Sequence, residues 1–394
     1  MIAQSPSGSR RSGKPGALRP DLRAAVDELV PMIDADRKAA DARGALCNDV
    51  IARADQLGLF TTRVPDALGG RDLGLVEAFE MSEALSYIDG SLGWTLSFMA
   101  LSAGLVGGHV SDEGAREICE GNEGRWPRFT GTFPTTGVAT PVDGGWSVSG
   151  RWGFASGIDH AMWLAVGTRR ADAPPSDRTA VLWAALPIEQ ARIIPGTWDV
   201  DGLRATGSKT FTIDGAFVPH TRAFSVTEPP ERGSLVHRLP TLVFICPEHA
   251  GVALGLARRA VDEVIALANG KARMGGRAPL HARGAFLRDL GRADTRLRAA
   301  RALIVERLGA GDEARSAMPA DFVTDVRAAA AHVADVAVDV VTLAYRYAGG
   351  SAVGRNHPLH RAWLDAVTAT QHVHTNDENY ETWGEAISGF AKDG

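Results

Sequence analysis

Apolar residues recur at three- and four-residue spacing from Leu18 to Leu59: Leu22, Val26, Leu29 and Ile33, then Leu46, Val50, Ala54 and Leu57. That spacing puts one apolar stripe on a helix, so helices are expected here. "VPDALGGRDLGL" (64–75) breaks the pattern with Pro and a Gly pair, a loop signal. Residues 75–120 return to helical periodicity, with "DGSLGW" (89–94) as a turn between two runs. The 92–107 run is apolar nearly all round, which predicts a buried helix. From 128 to 225 the pattern changes to Thr, Val, Trp and Phe with Gly/Asp turns, as in "RFTGTF", "DGGWSVSGRWGFAS", "TAVLWAALP" and "KTFTIDGAFVP". These segments predict an antiparallel sheet or barrel, and "ADAPPSD" (171–177) reads as a hairpin loop. Three long amphipathic helices are then expected over 250–269, 286–308 and 321–347, with "AGG" (348–350) ending the third. Shorter helices are expected over 358–372 and 377–390. The layout is a tail (1–19), an N-terminal helical domain (20–126), a central β domain (127–226) and a C-terminal helical bundle (227–394).

Composition narrows the class. The chain of 394 residues is 45% hydrophobic and 23% charged, ordinary for a globular protein of more than one domain. A net charge of −5 supplies no field that would attract nucleic acid or an anionic membrane. The tail carries Arg10, Arg11, Lys14 and Arg19 among Ser, Gly and Pro, without the apolar core of a secretory leader, and reads as disordered. No apolar run reads as long enough to span a bilayer. Cys47, Cys119 and Cys246 lie far apart without CxxC spacing, which suits a reducing cytoplasm and argues against a cysteine zinc site.

The helix–sheet–helix order and five local motifs together resemble the acyl-CoA dehydrogenase superfamily over about residues 20 to 390. The motifs are "LGLFTTRVPDALGG", "DGSLGW", "GRWGFASGIDHAMWLAVG", "DGLRATGSKTFTIDGAFVP" and "GGSAVGRNHPLHRAWLDA". The resemblance implies an α+β, mostly α fold, with an N-terminal helical domain, a central antiparallel β domain and a C-terminal four-helix bundle. It also implies flavin bound between the β domain and the bundle, and a homotetramer. Fold alone does not give the reaction.

A flavin ring needs an apolar wall and polar groups at its edge. In "GFAS", strand alternation would put Phe154 and Ser156 on one side. The resemblance implies that Phe154 contacts the flavin and that the Ser156 hydroxyl meets its N5. Without the resemblance, the two would read as a core Phe and a turn Ser. "TGTFP" (130–134) resembles the segment that meets the flavin pyrimidine, making Thr130, Gly131 and Thr132 further candidates, or members of an ordinary Thr-rich strand. His160 and Trp163 are expected as a turn histidine and a core tryptophan, and Arg204 and Ser208 as parts of a structured turn. Arg273 and Arg277, in a Gly-rich loop, match a region where related folds grip flavin phosphate, or belong to a solvated basic loop; Arg273 is taken as the cofactor-binding candidate.

A dehydrogenase of this fold needs a carboxylate base, but the position where many members keep it holds Val373. "HRAWLDAVTATQHVHTNDENYETWG" better resembles the oxygenase components of two-component flavin-dependent monooxygenases, such as the 4-hydroxyphenylacetate and hydroxy-steroid hydroxylases. There His372 falls seven residues after Asp365. The resemblance implies reduced flavin (FMNH2 or FADH2) delivered by a separate NAD(P)H:flavin reductase, and O2 adding to give a C4a-hydroperoxyflavin. Ser156 would hold the N5 proton, and His372 would hydrogen-bond the peroxide or take a substrate proton. The product would be a hydroxylated or otherwise oxidised small aromatic or heteroatom-containing molecule. The chain shows no GxGxxG fingerprint for binding its own nicotinamide. One departure is Ser102, which falls where aromatic hydroxylases of this branch usually carry a further histidine. The alternatives are an acyl-CoA dehydrogenase-like FAD oxidoreductase and a non-catalytic scaffold. No metal is expected: two residues apart on a helix, His372 and His374 would diverge by about 200°. His374 would then be a solvated neighbour.

Overall fold

The computed structural model describes residues 18–174, 177, 180–270, 278–314 and 318–390. Five helices open it: α1 (Pro20–Arg43), α2 (Asn48–Gln56), α3 (Leu75–Ile88), α4 (Gly90–His109) and α5 (Asp112–Glu120). The loop expected after 64 folds as a short 3-10 turn, Asp66–Leu68. The turn expected at 89–94 is only one residue long. Asp89 alone separates α3 from α4, and its Oδ1 caps α4 by accepting from Ser91 N (3.0 Å) and Leu92 N (3.1 Å).

The sheet has seven strands in the order β5-β6-β2-β1-β3-β4-β7. These are β1 (Phe129–Val142), β2 (Gly145–Ala155), β3 (Trp163–Arg170), β4 (Val181–Pro187), β5 (Arg192–Ile194), β6 (Lys209–Pro219) and β7 (Ala223–Phe224). The pairings are antiparallel except that β1 and β3 run parallel, so the sheet is mixed rather than antiparallel as expected. The physical reason is that β2 leaves through the 3-10 turn Ile158–His160 instead of a tight hairpin, so β3 returns on the far side of β1. Trp152 and Phe211 stack at 5.5 Å in the sheet's core, beside Val148, Leu164 and Leu186.

The remaining helices are α6 (Thr241–Phe244), α7 (Cys246–Gly270), α8 (Gly284–Asp312), α9 (Phe322–Ala348), α10 (Pro358–Ala369) and α11 (Glu378–Ser388). The α10 helix ends at Ala369, three residues before the end that periodicity suggested. Contrary to the sequence expectation, α4 and the α9 region are long and apolar enough to cross a membrane. Their apolar windows are 89% and 61% buried inside the protein, however, which makes them core helices.

Helices and the turn before β6 meet at a largely buried ionic node. Arg361 on α10 pairs with Asp89 (2.8 Å) and with Asp41 on α1. Arg37 also reaches Asp89 at 3.4 Å. Asp365, one turn along α10 from Arg361, accepts the backbone N–H of Leu203 at 2.6 Å. The fit is close: a Cβ on Gly90 would lie 2.6 Å from Asp365 Oδ2. Removing one partner of a buried ion pair typically costs about 3–5 kcal/mol, because the other charge stays buried. Asp89→Ala is therefore expected to lower the unfolding free energy by about 3 kcal/mol or more in urea titration. Asp89→Asn, which retains a capping oxygen but not the charge, should lose measurably less.

Candidate active site

Three chain segments converge on one indole. Trp94, on the second turn of α4, donates its Nε1–H to Ser156 Oγ at 2.9 Å. The His372 ring lies 6.1 Å from the Trp94 ring. Phe98, one turn along α4, packs on Trp94 at 4.3 Å. Ser156 and His372 are thus both brought to Trp94.

Ser156 follows directly on the end of β2, where strand alternation has failed. Trp152 pairs with Phe211 but Ala155 pairs with Lys209, so β2 carries one residue more than its partner. Phe154 absorbs the bulge at φ +62, a strained value for a residue with a Cβ. The expectation that Phe154 and Ser156 share a side is therefore overturned. Phe154 stands 77% exposed, edge-on to Trp198 at 6.3 Å, while Ser156 is buried. Ser156 Oγ also bonds Ser208 Oγ at 2.8 Å, and Ser208 bonds Thr206 Oγ1 at 2.7 Å.

The "TGT" segment divides by role. Thr130 Oγ1 donates to the Ser156 carbonyl at 2.6 Å, so its proton is spent on positioning Ser156. Gly131 runs against β3, where a Cβ would lie 2.8 Å from the Ala165 carbonyl oxygen, 3.2 Å from the Ala165 Cβ and 3.3 Å from Ser102 Oγ. Thr132 Oγ1 is buried without a hydrogen-bond partner, which leaves it available to a ligand. Ser102 itself donates to the Phe98 carbonyl at 2.9 Å.

His372 lies outside any helix. Its backbone is extended (φ −77, ψ 143) and its Nδ1 accepts from His374 N at 3.4 Å. With the helix ended, the geometric argument for divergence no longer holds, and the His372 and His374 rings stack at 5.1 Å. His374 is buried, not a solvated neighbour, because the chain folds back over α9 and α7 after Thr370. A third imidazole, His249 on α7, lies 4.3 Å from His372 and 5.1 Å from His374. Its Nδ1–H donates to Ile245 O at 2.9 Å, which leaves Nε2 as a buried acceptor without a partner. Among the described residues no set of three or more His, Cys, Asp or Glu is arranged to hold a metal ion.

Burial holds all three imidazoles neutral. It pushes His372 down to about 4. Burial, with His372 and Arg327 adding, pushes His374 down to about 3. His249 is held well below its usual value by burial and by both neighbours. Asp365 is pushed up to about 7 by burial, opposed by Arg361 and reinforced by Asp89.

The other candidates are structural. His160 sits in the 3-10 turn after β2, Trp163 is in the core beside Phe129 at 6.0 Å, and Arg204 donates to Val200 O at 2.8 Å. Arg273 and Arg277 lie outside the described residues. Val373 is exposed and Glu378 faces solvent on α11. The buried Glu248, next to His249, is paired with Arg63 at 3.2 Å, so it is not free to act as a base. Sequence reading missed Trp94 and His249. Trp94 stood inside a quoted motif. His249 had no spacing signal, since α7 and the segment after α10 meet only in the folded chain.

Comparison with known proteins gives the class first. Residues 17–118 match the acyl-CoA dehydrogenase N-terminal domain and residues 248–377 the acyl-CoA dehydrogenase C-terminal domain. Indole-3-acetate monooxygenase from Pseudomonas putida is 31% identical, over 89% of each chain. The FADH(2)-dependent resorcinol hydroxylase oxygenase component from a Rhizobium species is 26% identical over 83% of each chain. XiaF from a Streptomyces species, solved with FADH2 and glycerol, superposes with a TM-score of 0.87 at 22% identity, covering 96% of this chain and 97% of its own. This chain belongs to the flavin-dependent monooxygenase branch of the acyl-CoA dehydrogenase superfamily.

The lowered histidines give a pH signature. A neutral buried imidazole stabilises the fold fully above its unfolded value of about 6.5, and that stability is lost as pH falls toward the folded value. Between pH 6.5 and 4 each such histidine is expected to cost up to about 1.4 kcal/mol per pH unit. The stability slope over this range, from chemical denaturation, should be shallower in a His372→Asn, His374→Asn double variant. Asp365 acts with the opposite sign in both proteins and cancels in the comparison.

Proposed function

We propose that this chain is the oxygenase component of a two-component flavin-dependent monooxygenase. In this reading reduced flavin, FMNH2 or FADH2, comes from a separate NAD(P)H:flavin reductase, and a small aromatic or heteroatom-bearing substrate is oxidised. The observation that carries it is the convergence of Ser156 and His372 on Trp94, with the buried Glu248 carboxylate paired to Arg63. The monooxygenase names of its relatives and the aromatic lining of Trp94 and Phe98 support it further.

The residues present fit a flavin. Phe154, held exposed by its bulge, offers an aromatic wall. The orphaned Thr132 hydroxyl offers a hydrogen bond, and Ser156 retains an unused lone pair. When bound, reduced flavin supplies the two electrons by which O2 is split between substrate and water. The protein's own part is to keep water out and to hold protons in place. His372, neutral above about pH 4, serves as a hydrogen-bonding group at the site rather than as a cation. Its Nδ1 accepts from His374 N, so the neutral ring carries its proton on Nε2 and offers it as a hydrogen-bond donor. His249 backs His372 with a second neutral imidazole, a group that the Ser102 departure had seemed to remove. The family's tetrameric assembly and a cytoplasmic location complete the proposal.

Anaerobic titration should show binding of reduced FMN or FAD, and admission of O2 with a suitable aromatic substrate should yield oxidised product. His372→Ala is expected to lower product formation about tenfold, the scale of one lost buried hydrogen bond, with hydrogen peroxide released instead. Ser156→Ala should likewise divert O2 to peroxide. Unchanged product yield in both variants would remove these residues from the site. Bleaching of bound oxidised FAD by an acyl-CoA would replace the oxygenase reading with a dehydrogenase one.

A further inference from the structure

Ser156, Ser208 and Thr206 form a linear chain of hydroxyls with chemically unambiguous ends. At one end the Trp94 indole N–H, which can only donate, points at Ser156 Oγ (2.9 Å). At the other, Thr206 Oγ1 lies 2.9 Å from the Leu203 carbonyl, which can only accept. The Thr206 proton must therefore lie on that contact, since otherwise two lone pairs would face each other. Thr206 then accepts from Ser208 (2.7 Å), and Ser208 accepts from Ser156 (2.8 Å). All three residues are buried, so no water competes to reverse the order. The carbonyl that ends the chain is itself fixed. Leu203 is held at φ +52, with its N–H on the Asp365 carboxylate at 2.6 Å.

Valence then fixes what Ser156 can offer. Its one proton goes to Ser208 and one lone pair receives Trp94. A single lone pair is left, and no donor. We propose that this polarised relay makes Ser156 an obligate acceptor toward the cofactor and so selects reduced over oxidised flavin. Ser208 and Thr206 are the positioning residues that set the selection. The inference rests on the reading of Ser156 as the hydroxyl that meets flavin N5. Reduced flavin carries a hydrogen on N5 and donates to the free lone pair. Oxidised flavin has only a lone pair at N5 and meets Ser156 acceptor to acceptor.

Breaking the relay should undo the selection without removing Ser156. In Ser208→Ala the Ser156 hydroxyl is free to rotate and donate. In Thr206→Val, Ser208 loses its acceptor and donates back to Ser156, whose proton then turns to the ligand. Affinities for reduced and oxidised FMN and FAD would be measured anaerobically by equilibrium titration, alongside thermal midpoints. In the wild type the reduced form should bind about tenfold or more tightly, the scale of one hydrogen bond replaced by an unsatisfied contact. Ser208→Ala should shrink that ratio about tenfold, chiefly through tighter binding of the oxidised form. Thr206→Val should shrink it further, and Ser208→Thr should restore it. Variants that keep the wild-type midpoint, bind reduced flavin normally and retain the wild-type ratio would overturn the relay while leaving the oxygenase reading intact. A wild type that binds no reduced flavin would overturn the oxygenase reading itself, and the relay with it.

Discussion

The structure hangs on the pairing of Arg361 and Asp365 of α10 with what faces them. Arg361 clamps Asp41 and Asp89, and Asp89 caps α4. Asp365 holds Leu203 in a left-handed turn. Three carboxylates meet two guanidiniums in a buried volume, and the remaining negative charge rests against the amino end of α4 and the Leu203 N–H. Such a node is expensive to desolvate, and its value lies more in geometry than in net stability. It registers α1, α4, α10 and the turn before β6 against one another.

The site inherits that registration. Trp94 lies on the second turn of the helix that Asp89 caps. The hydroxyl chain ends on the carbonyl of the residue that Asp365 holds. His372 follows the same helix that carries Arg361 and Asp365. The two sides of the candidate centre are thus referenced to one ionic cluster, which keeps a site built from separate chain segments within hydrogen-bond tolerance. The strain at Phe154 and Leu203 fits this picture, since both outliers lie beside the site, and both are held by surrounding structure.

Burial decides the chemistry of the histidines. Three imidazoles in contact and largely withdrawn from water cannot readily charge, so they stand as neutral hydrogen-bonding groups rather than as cations. The same enclosure leaves His249 Nε2 and His374 Nδ1 without partners, a cost that is ordinarily tolerated only where polar groups have work to do.

Much of this was legible in the sequence. Periodicity alone located the long helices and the strand-rich middle, because burying one stripe or one face imposes those spacings. Motif resemblance singled out Ser156 and His372, two residues that the fold brings to one indole, and noted Val373 where many dehydrogenases keep a carboxylate. Other features depended on how distant segments meet. One extra residue in β2 turned Phe154 outward, which alternation cannot show, since a bulge is set by the partner strand. The end of α10 at Ala369 turned His374 inward, and packing of α7 supplied His249. The order of protons from Trp94 to Leu203 is equally invisible in the chain, where the residues stand scattered between 94 and 208. The sequence by itself determined which side chains were available and which fold would carry them. Only the tertiary structure decided which were buried together, and so which protons are held and which lone pairs are left free.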